Sequence, residues 1–414
     1  MVCAALVISL FICPIARADT TDLKFSFTPG PLKPGWIQVA PSDLYTKDRG
    51  YGFEPVSKVG GEGPYYFSAA VPEGNYLVTV ALGDYTSAAT TTVKAELRRL
   101  MLERIHTDPG QIATESFTVS VRRPEIPGGK RVRLKAPRET TSESWAWDDK
   151  LTLEFAGEAP AVRSVEITSA DALPTIFIIG DSTSTDQSLE PFNSWGQMIT
   201  RWFTPDVVIA NHGESGETTS SFIGENRWAK VLSVIRPGDY VLMQFGHNDE
   251  KDKGPNAGAF KNYTQNLIRF VTEARAHGAT PVIITPVARR KFDDTGKSVE
   301  THGDYPAAAR KVARDMNVPL IDLSAAAQTL YNALGPEKAV ALFATPAEAT
   351  HHSDYGSYEI AKLVIEGIKQ TNLPIAKDIV SDYTGFDPAH PDSLEDFKVP
   401  PEPRRGPTTK PLGS

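Results

Sequence analysis

Ser182 stands at the end of Thr175-Ile-Phe-Ile-Ile-Gly-Asp-Ser-Thr183, where four apolar residues give way to a glycine and two small polar residues. A buried strand that stops in a tight turn places the next side chains outside the carboxyl edge of a parallel sheet. Open α/β sheets bind their ligands at that edge. A serine hydroxyl there is a candidate nucleophile. It needs a base to take its proton and N–H donors aimed at the oxyanion that develops on attack. His351, in Glu348-Ala-Thr-His-His-Ser-Asp354, can be the base, because the ordinary imidazole pKa of about 6.5 suits proton transfer near neutrality. Glu348 lies three residues earlier, near enough to accept the other ring N–H and fix the tautomer. The backbone N–H groups of Ser182 and Gly216 and the side-chain amide of Asn248 can supply the donors, and a glycine at 216 lets the backbone come close to a substrate. Such a set performs acyl transfer. The plainer reading of Gly180-Asp-Ser182 is a turn that only caps the next helix, since turn chemistry favours these residues.

Several neighbours carry competing roles. Asp354 can serve the histidine in place of Glu348, or the site can run as a Ser–His dyad. His352 is a rival base. His247 and Asp249 flank Asn248 and are read as holding its loop, Asp181 as bonding turn amides, and His302 and Asp304 as helix-entry residues with Asp304 a cap. Trp145 and Trp147 are spaced to share one face of a strand, where they stack on a sugar or fill a core. No Cys/His cluster or HExxH spacing points to a metal, and no Gly-rich phosphate loop follows a strand.

The elements that must position these residues fall into two kinds. From about Leu23 to Ile167 the apolar period is two: Tyr76, Val78, Val80 and Leu82, then Phe117, Val119 and Val121, then Leu151, Leu153 and Phe155, with Gly and Pro between the runs. This predicts an all-β sandwich of jelly-roll type over 20–168. Within it, Lys94 to Ile105 is compatible with a helix or a strand. After a linker at Thr168–Pro174 the pattern becomes strand–helix alternation over 174–380. Runs at Val207–Ala210, Tyr240–Phe245, Pro281–Thr285 and Val318–Asp322 read as strands. Trp195, Met198, Ile199, Trp202 and Phe203 share one helix face behind a Ser194 cap, and further helices are expected around Tyr263–Ala276, Ala307–Met316 and Tyr355–Lys369. This is a three-layer α/β fold with a mostly parallel sheet. Residues 381–414 read as an ordered strap running into a disordered tail.

The chain has 414 residues, a net charge of −8 and two cysteines, Cys3 and Cys13. There is no basic stripe, which argues against nucleic acid as a partner. Val2–Cys13 is apolar and uncharged and is followed by Ala16-Arg17-Ala18. Residues 1–18 therefore read as a cleavable export signal, although no Lys or Arg stands near Met1. The mature chain would hold no cysteine, in keeping with a secreted or periplasmic location. No segment is long enough to span a membrane as a helix.

Gly180-Asp-Ser182, Gly216, Gly246-His-Asn248-Asp and Thr350-His351, in that order, resemble the blocks of the SGNH (GDSL-type) hydrolases. Thr285-Pro-Val-Ala-Arg-Arg290, Thr301-His-Gly-Asp-Tyr-Pro306 and Tyr355-Gly-Ser-Tyr-Glu-Ile-Ala-Lys362 bring the likeness nearer to rhamnogalacturonan acetylesterases. The resemblance covers about Pro174 to Lys377. It implies a flavodoxin-like fold and hydrolysis of acetyl esters on a plant cell-wall pectin, without metal or organic cofactor. By the family's pattern Ser182 is nucleophile, His351 base, and Gly216 and Asn248 complete the oxyanion hole. Arg289 and Arg290 would meet galacturonate carboxylates or form surface ion pairs. The β-sandwich looks similar to the galactose-binding-like modules of secreted carbohydrate enzymes. The chain departs from the family's pattern with Glu348 where Asp is usual, and with His352 where an aromatic residue is frequent. Acyl-transfer triads do accept Glu in this role. The competing readings are a deacetylase of another glycan such as acetylxylan and a glycan-binding protein whose esterase site has decayed.

Overall fold

The structure is a computed structural model that describes residues 21–55, 57 and 63–401. The export segment expected at 1–18 and the end of the expected tail, 402–414, lie outside the described residues.

Residues 22–169 form two five-stranded sheets. One runs in the order Trp36–Gln38, Asp22–Ser26, Val162–Ser169, Gly74–Leu82, Ala113–Val121. The other runs Tyr51–Phe53, Tyr65–Ala70, Lys150–Glu158, Ala89–Ala95, Arg99–Thr107. All pairs are antiparallel except Asp22–Ser26 with Trp36–Gln38. Alternation explains the packing, because every second residue faces the partner sheet. Val78 and Val165 from one sheet meet Phe67, Leu153 and Phe155 from the other in one buried core.

The ambiguous Lys94–Ile105 stretch is a β-hairpin, with Glu96 and Arg98 at positive φ in its turn. Trp145 and Trp147 are not on a strand. They lie in the 3₁₀ turn Ser144–Trp147. The Trp147 ring is buried, with its N–H bonded to Glu139 Oε1 at 2.7 Å and the Arg122 guanidinium 4.1 Å from its centroid. Packing accounts for it fully, and sugar stacking is set aside for this residue.

The second half is an all-parallel sheet in the order Val208–Asn211, Thr175–Gly180, Tyr240–Gln244, Thr280–Ile284, Leu320–Ile321. This is the flavodoxin-like order 2-1-3-4-5, with its switch point between the first and third strands. Successive residues of Thr175–Gly180 face opposite layers. Ile176 and Ile178 join Trp195, Met198, Ile360 and Val364 on one side, whereas Phe177 and Ile179 join Phe222, Phe270 and Val312 on the other. The helix from Trp195 is α-helical only to Met198 and continues as a 3₁₀ turn to Trp202, behind a Ser194 hydroxyl that accepts the Gly196 N–H at 3.1 Å. Tyr305–Asp315 and Asp354–Gln370 are helices close to the expected ranges. Asp304 occupies the N-cap position of the former, yet its side chain makes no capping bond. Leu323–Lys338 is a further helix, unread in the sequence.

The two halves interlock. Leu100 of the hairpin belongs to the α/β core, and the Gln197 amide donates to Leu97 O at 2.6 Å. The strap after residue 381 packs back, with Val399 buried and Pro400 O accepting from Lys94 Nζ at 2.8 Å. Among the described residues no helix is long and apolar enough to cross a membrane.

Candidate active site

Gly180 ends the first strand for lack of space. A Cβ there would lie 2.4 Å from both Gln244 O and Ser184 Oγ. The chain therefore turns beneath the third strand and delivers Asp181-Ser182 at the switch point. Asp181 ties the turn together, since its carboxylate accepts the Thr183 N–H at 3.0 Å and hydroxyl at 2.8 Å, with His247 Nδ1 at 3.2 Å. Burial pushes this carboxyl up, but the His247 ring and the Thr183 donors outweigh it and hold the pKa at about 2. Burial lowers the His247 pKa. The pair is thus an aspartate accepting from a neutral imidazole, and it locks the Ser182 turn to the Asn248 loop.

Ser182 Oγ lies 2.9 Å from His351 Nε2. The two are 169 positions apart in sequence, so the fold alone creates this contact. The His351 loop is held from both sides: its carbonyl accepts the Ala344 N–H at 3.0 Å, and the edge of the ring meets Phe192 at 5.8 Å. Glu348 Oε2 stands 3.4 Å from His351 Nδ1. Its other oxygen accepts the N–H groups of Ala349 and Thr350 at 2.9 and 2.8 Å. Burial works upward on this carboxyl, yet these bonds and the ring bring it to about 2.

Asp354 is engaged elsewhere, by Arg98 Nη2 at 3.0 Å and Asn193 Nδ2 at 2.7 Å. His352 bonds the Tyr331 hydroxyl at 3.2 Å, and burial lowers its pKa to about 3. Both side chains are thus engaged away from the Ser182–His351 contact.

The donor set gathers at the same edge. Asn248 Nδ2 donates one hydrogen to Glu217 O at 3.1 Å, which ties it to the Gly216 loop and leaves its second hydrogen over. Gly216 has φ +79°, a conformation that glycine adopts without strain. Among the described residues, the N–H groups of Ser182 and Gly216 have no acceptor within the chain. Asp249 accepts the Thr219 N–H at 2.9 Å and hydroxyl at 2.6 Å, and burial raises its pKa to about 7.

Arg289 and Arg290 brace the catalytic loops. Arg289 Nε donates to Thr350 Oγ1 at 3.1 Å, and its guanidinium pairs with Glu250. Arg290 Nη2 donates to Pro346 O and Glu348 O at 2.7 and 2.8 Å. Other residues at the site escape a linear reading. Gln187 Nε2 donates to Ser182 O at 2.8 Å, and Lys135 and Arg138 arrive from the β-sandwich half onto Ser215 O at 2.7 and 3.3 Å. Only the density of polar residues in 181–188 signals the first, and nothing local signals the other two.

A profile of the GDSL-like lipase/acylhydrolase family matches residues 178–355, which spans Ser182 and His351. A rhamnogalacturonan acetylesterase of Bacillus subtilis (strain 168) is 40% identical over 220 residues, which are 50% of this chain and 94% of that protein. The chain belongs to the GDSL-like lipase/acylhydrolase family. It is a carboxylic ester hydrolase. A protein named a probable rhamnogalacturonan acetylesterase from the same strain is 32% identical over 218 residues, covering 50% of this acylhydrolase and 98% of the relative. An uncharacterized esterase of that strain is 24% identical over 407 residues, covering 89% of this acylhydrolase and 98% of the relative. That relative therefore aligns with the β-sandwich half as well.

Proposed function

We propose that the protein removes acetyl groups from rhamnogalacturonan-like pectin, with Ser182 as nucleophile, His351 as general base and acid, and Glu348 as the acid that orients the ring. The observation that carries this reading is the 2.9 Å contact between Ser182 Oγ and His351 Nε2 at the switch point of the sheet. The relatives named above support the substrate class.

In the first step Ser182 Oγ attacks the acetyl carbonyl carbon as its proton passes to His351 Nε2. The carbonyl oxygen takes the negative charge and sits against the N–H groups of Ser182 and Gly216 and the Asn248 amide. The bond from the acetyl carbon to the sugar oxygen then breaks, and the sugar oxygen takes the proton from His351. Water repeats the sequence on the acetyl-enzyme, and acetate and free Ser182 result. Losing one donor of an oxyanion hole costs about 3–4 kcal/mol of transition-state stabilisation. Arg289, with its side chain 18% exposed, is the candidate contact for a galacturonate carboxylate, with Arg290 behind it holding the loop. The apolar stretch and Ala16-Arg17-Ala18 near the start support export to the periplasm or cell exterior.

Acetate release from acetylated rhamnogalacturonan, acetylated homogalacturonan and acetylated xylan tests the substrate. Preference for the first is expected. Preference for xylan would keep the chemistry and overturn the pectin assignment. Edman sequencing of the exported protein, expected to begin at Asp19, tests the signal.

A further inference from the structure

We propose that Lys135 and Arg138, from the β-sandwich half, are positioning residues for ester hydrolysis, holding and polarising the Ser215–Gly216 peptide so that its N–H is a stronger oxyanion donor. The inference rests on the proposed role of the Gly216 N–H. Lys135 Nζ donates to Ser215 O at 2.7 Å and Arg138 Nη2 donates to the same oxygen at 3.3 Å. That carbonyl and the Gly216 N–H belong to one conjugated peptide unit. Donors at the oxygen draw electron density from the nitrogen, and each bond in such a chain strengthens the next by about 10–30%. Bonds from ionised donors are roughly twice as strong as neutral ones.

The Asp181–Ser182 peptide supplies the other backbone donor and offers a comparison. Its carbonyl is met by Ser184 N at 3.0 Å, Thr185 N at 3.1 Å and Ser184 Oγ at 3.2 Å, all neutral and all from its own turn. Among the described residues, no group of its own turn donates to Ser215 O. Its carbonyl is met by two cations that lie 80 and 77 positions away in sequence.

Both cations are fixed in place. Lys135 pairs with Glu217, and Arg138 with Glu214 and Glu143. The Lys135 N–H also donates to Glu139 Oε2 at 2.6 Å. Glu139 in turn holds Arg227 at 2.6 Å. Glu217, Glu214 and Glu143 flank the two cations, and the effect on the peptide runs through the two bonds on one oxygen. On this reading the β-sandwich completes the catalytic half.

The test uses the full chain with Lys135→Met, Arg138→Met, the double variant, and the conservative Lys135→Arg and Arg138→Lys. Active-site titration with a small phosphonate ester counts working Ser182. kcat and KM on a small acetate ester are then compared with the Ki of a boronic acid, whose tetrahedral adduct on serine places an oxyanion in the hole. Each Met variant is expected to lose about tenfold in kcat per titrated site, less than the hundredfold or more for loss of a donor itself. KM should hold, Ki should rise in parallel with the loss of kcat, and the conservative variants should recover most of the rate. Unchanged kcat in the Met variants, or a fall in kcat with unchanged boronate affinity, would overturn the inference while leaving the serine mechanism intact. If Ser182→Ala kept full turnover, the reading beneath it would fail first.

Discussion

Oε2 of Glu348 faces Nδ1 of His351 at 3.4 Å, while Oε1 of the same carboxylate folds back onto the N–H groups of Ala349 and Thr350 at 2.9 and 2.8 Å. One carboxylate thus accepts from its own loop with one oxygen and faces the ring with the other. Glu348→Gln keeps an oxygen for the amides and removes the charge beside the ring. We expect kcat on a small acetate ester to fall by about 10⁴, the loss seen when a triad acid becomes its amide, with KM little changed. Glu348→Asp should fall less than the amide variant. A Gln variant that turned over like the wild type would mean a Ser–His dyad.

Glu348 and Asp249 predict opposite pH dependences of stability. The Glu348 pKa is about 2 in the fold against an ordinary 4.5, so its stabilisation is complete above 4.5 and is lost as the pH falls toward 2. Asp249 is raised to about 7 from 3.8, so its contribution is complete below 3.8 and is lost as the pH rises through 7. Asp249→Asn keeps an acceptor for Thr219 and does not titrate. Its urea midpoint should therefore decline less than that of the wild type between pH 4 and about 7.5. Parallel declines would contradict the assignment.

Much of this site was legible because Ser182, Gly216 and Asn248 each follow an apolar run, while Thr350-His351 precedes the last helix. Thr175–Gly180, Tyr240–Gln244 and Thr280–Ile284 are nearly all apolar and end in glycine or proline-marked turns. Ser182, Gly216, Asn248 and His351 then had to gather at one edge. The hairpin at 89–107 was illegible because Glu96 and Arg98 in its turn and Arg99 at the start of its second strand are charged yet buried. The acidic partners of the two arginines, such as Asp186 for Arg99 at 2.8 Å, lie in the other half, and no local period reports them. Trp145 and Trp147 imitate strand spacing, but the Trp147 N–H finds Glu139 only if the chain coils. Lys135 and Arg138 acquire meaning only once Ser215 is beside them.

Arg98 is the most consequential link between the halves. Its guanidinium is buried against Glu190 and Asp354 and also meets Phe192 O at 2.9 Å. Arg98→Met would leave the buried Asp354 carboxylate, at the start of the last helix, without its cation and with only the Asn193 amide. Removing one partner of a buried pair costs about 3–5 kcal/mol. A urea titration should show a loss of that order in unfolding free energy, and a change below about 1 kcal/mol, the scale of a surface pair, would show the link to be dispensable.

Gly180→Ala tests the turn that presents the nucleophile. The new Cβ would meet Gln244 O and Ser184 Oγ at 2.4 Å, and the former is backbone of the neighbouring strand. Overpacking of this kind costs about 1–3 kcal/mol. A displacement of Ser182 by about 1 Å can lower the rate about a hundredfold. Thermal melting and kcat should both fall. A variant that melted and turned over like the wild type would show that the strand end has room the packing denies.

The most direct test of the account is turnover by Ser182→Ala on acetylated rhamnogalacturonan and on a small acetate ester, with circular dichroism and melting recorded on the same sample. The account predicts an intact fold with acetate release down by about 10⁴-fold or more, as for loss of a serine nucleophile elsewhere. Turnover at the wild-type rate in a folded Ser182→Ala protein would contradict it.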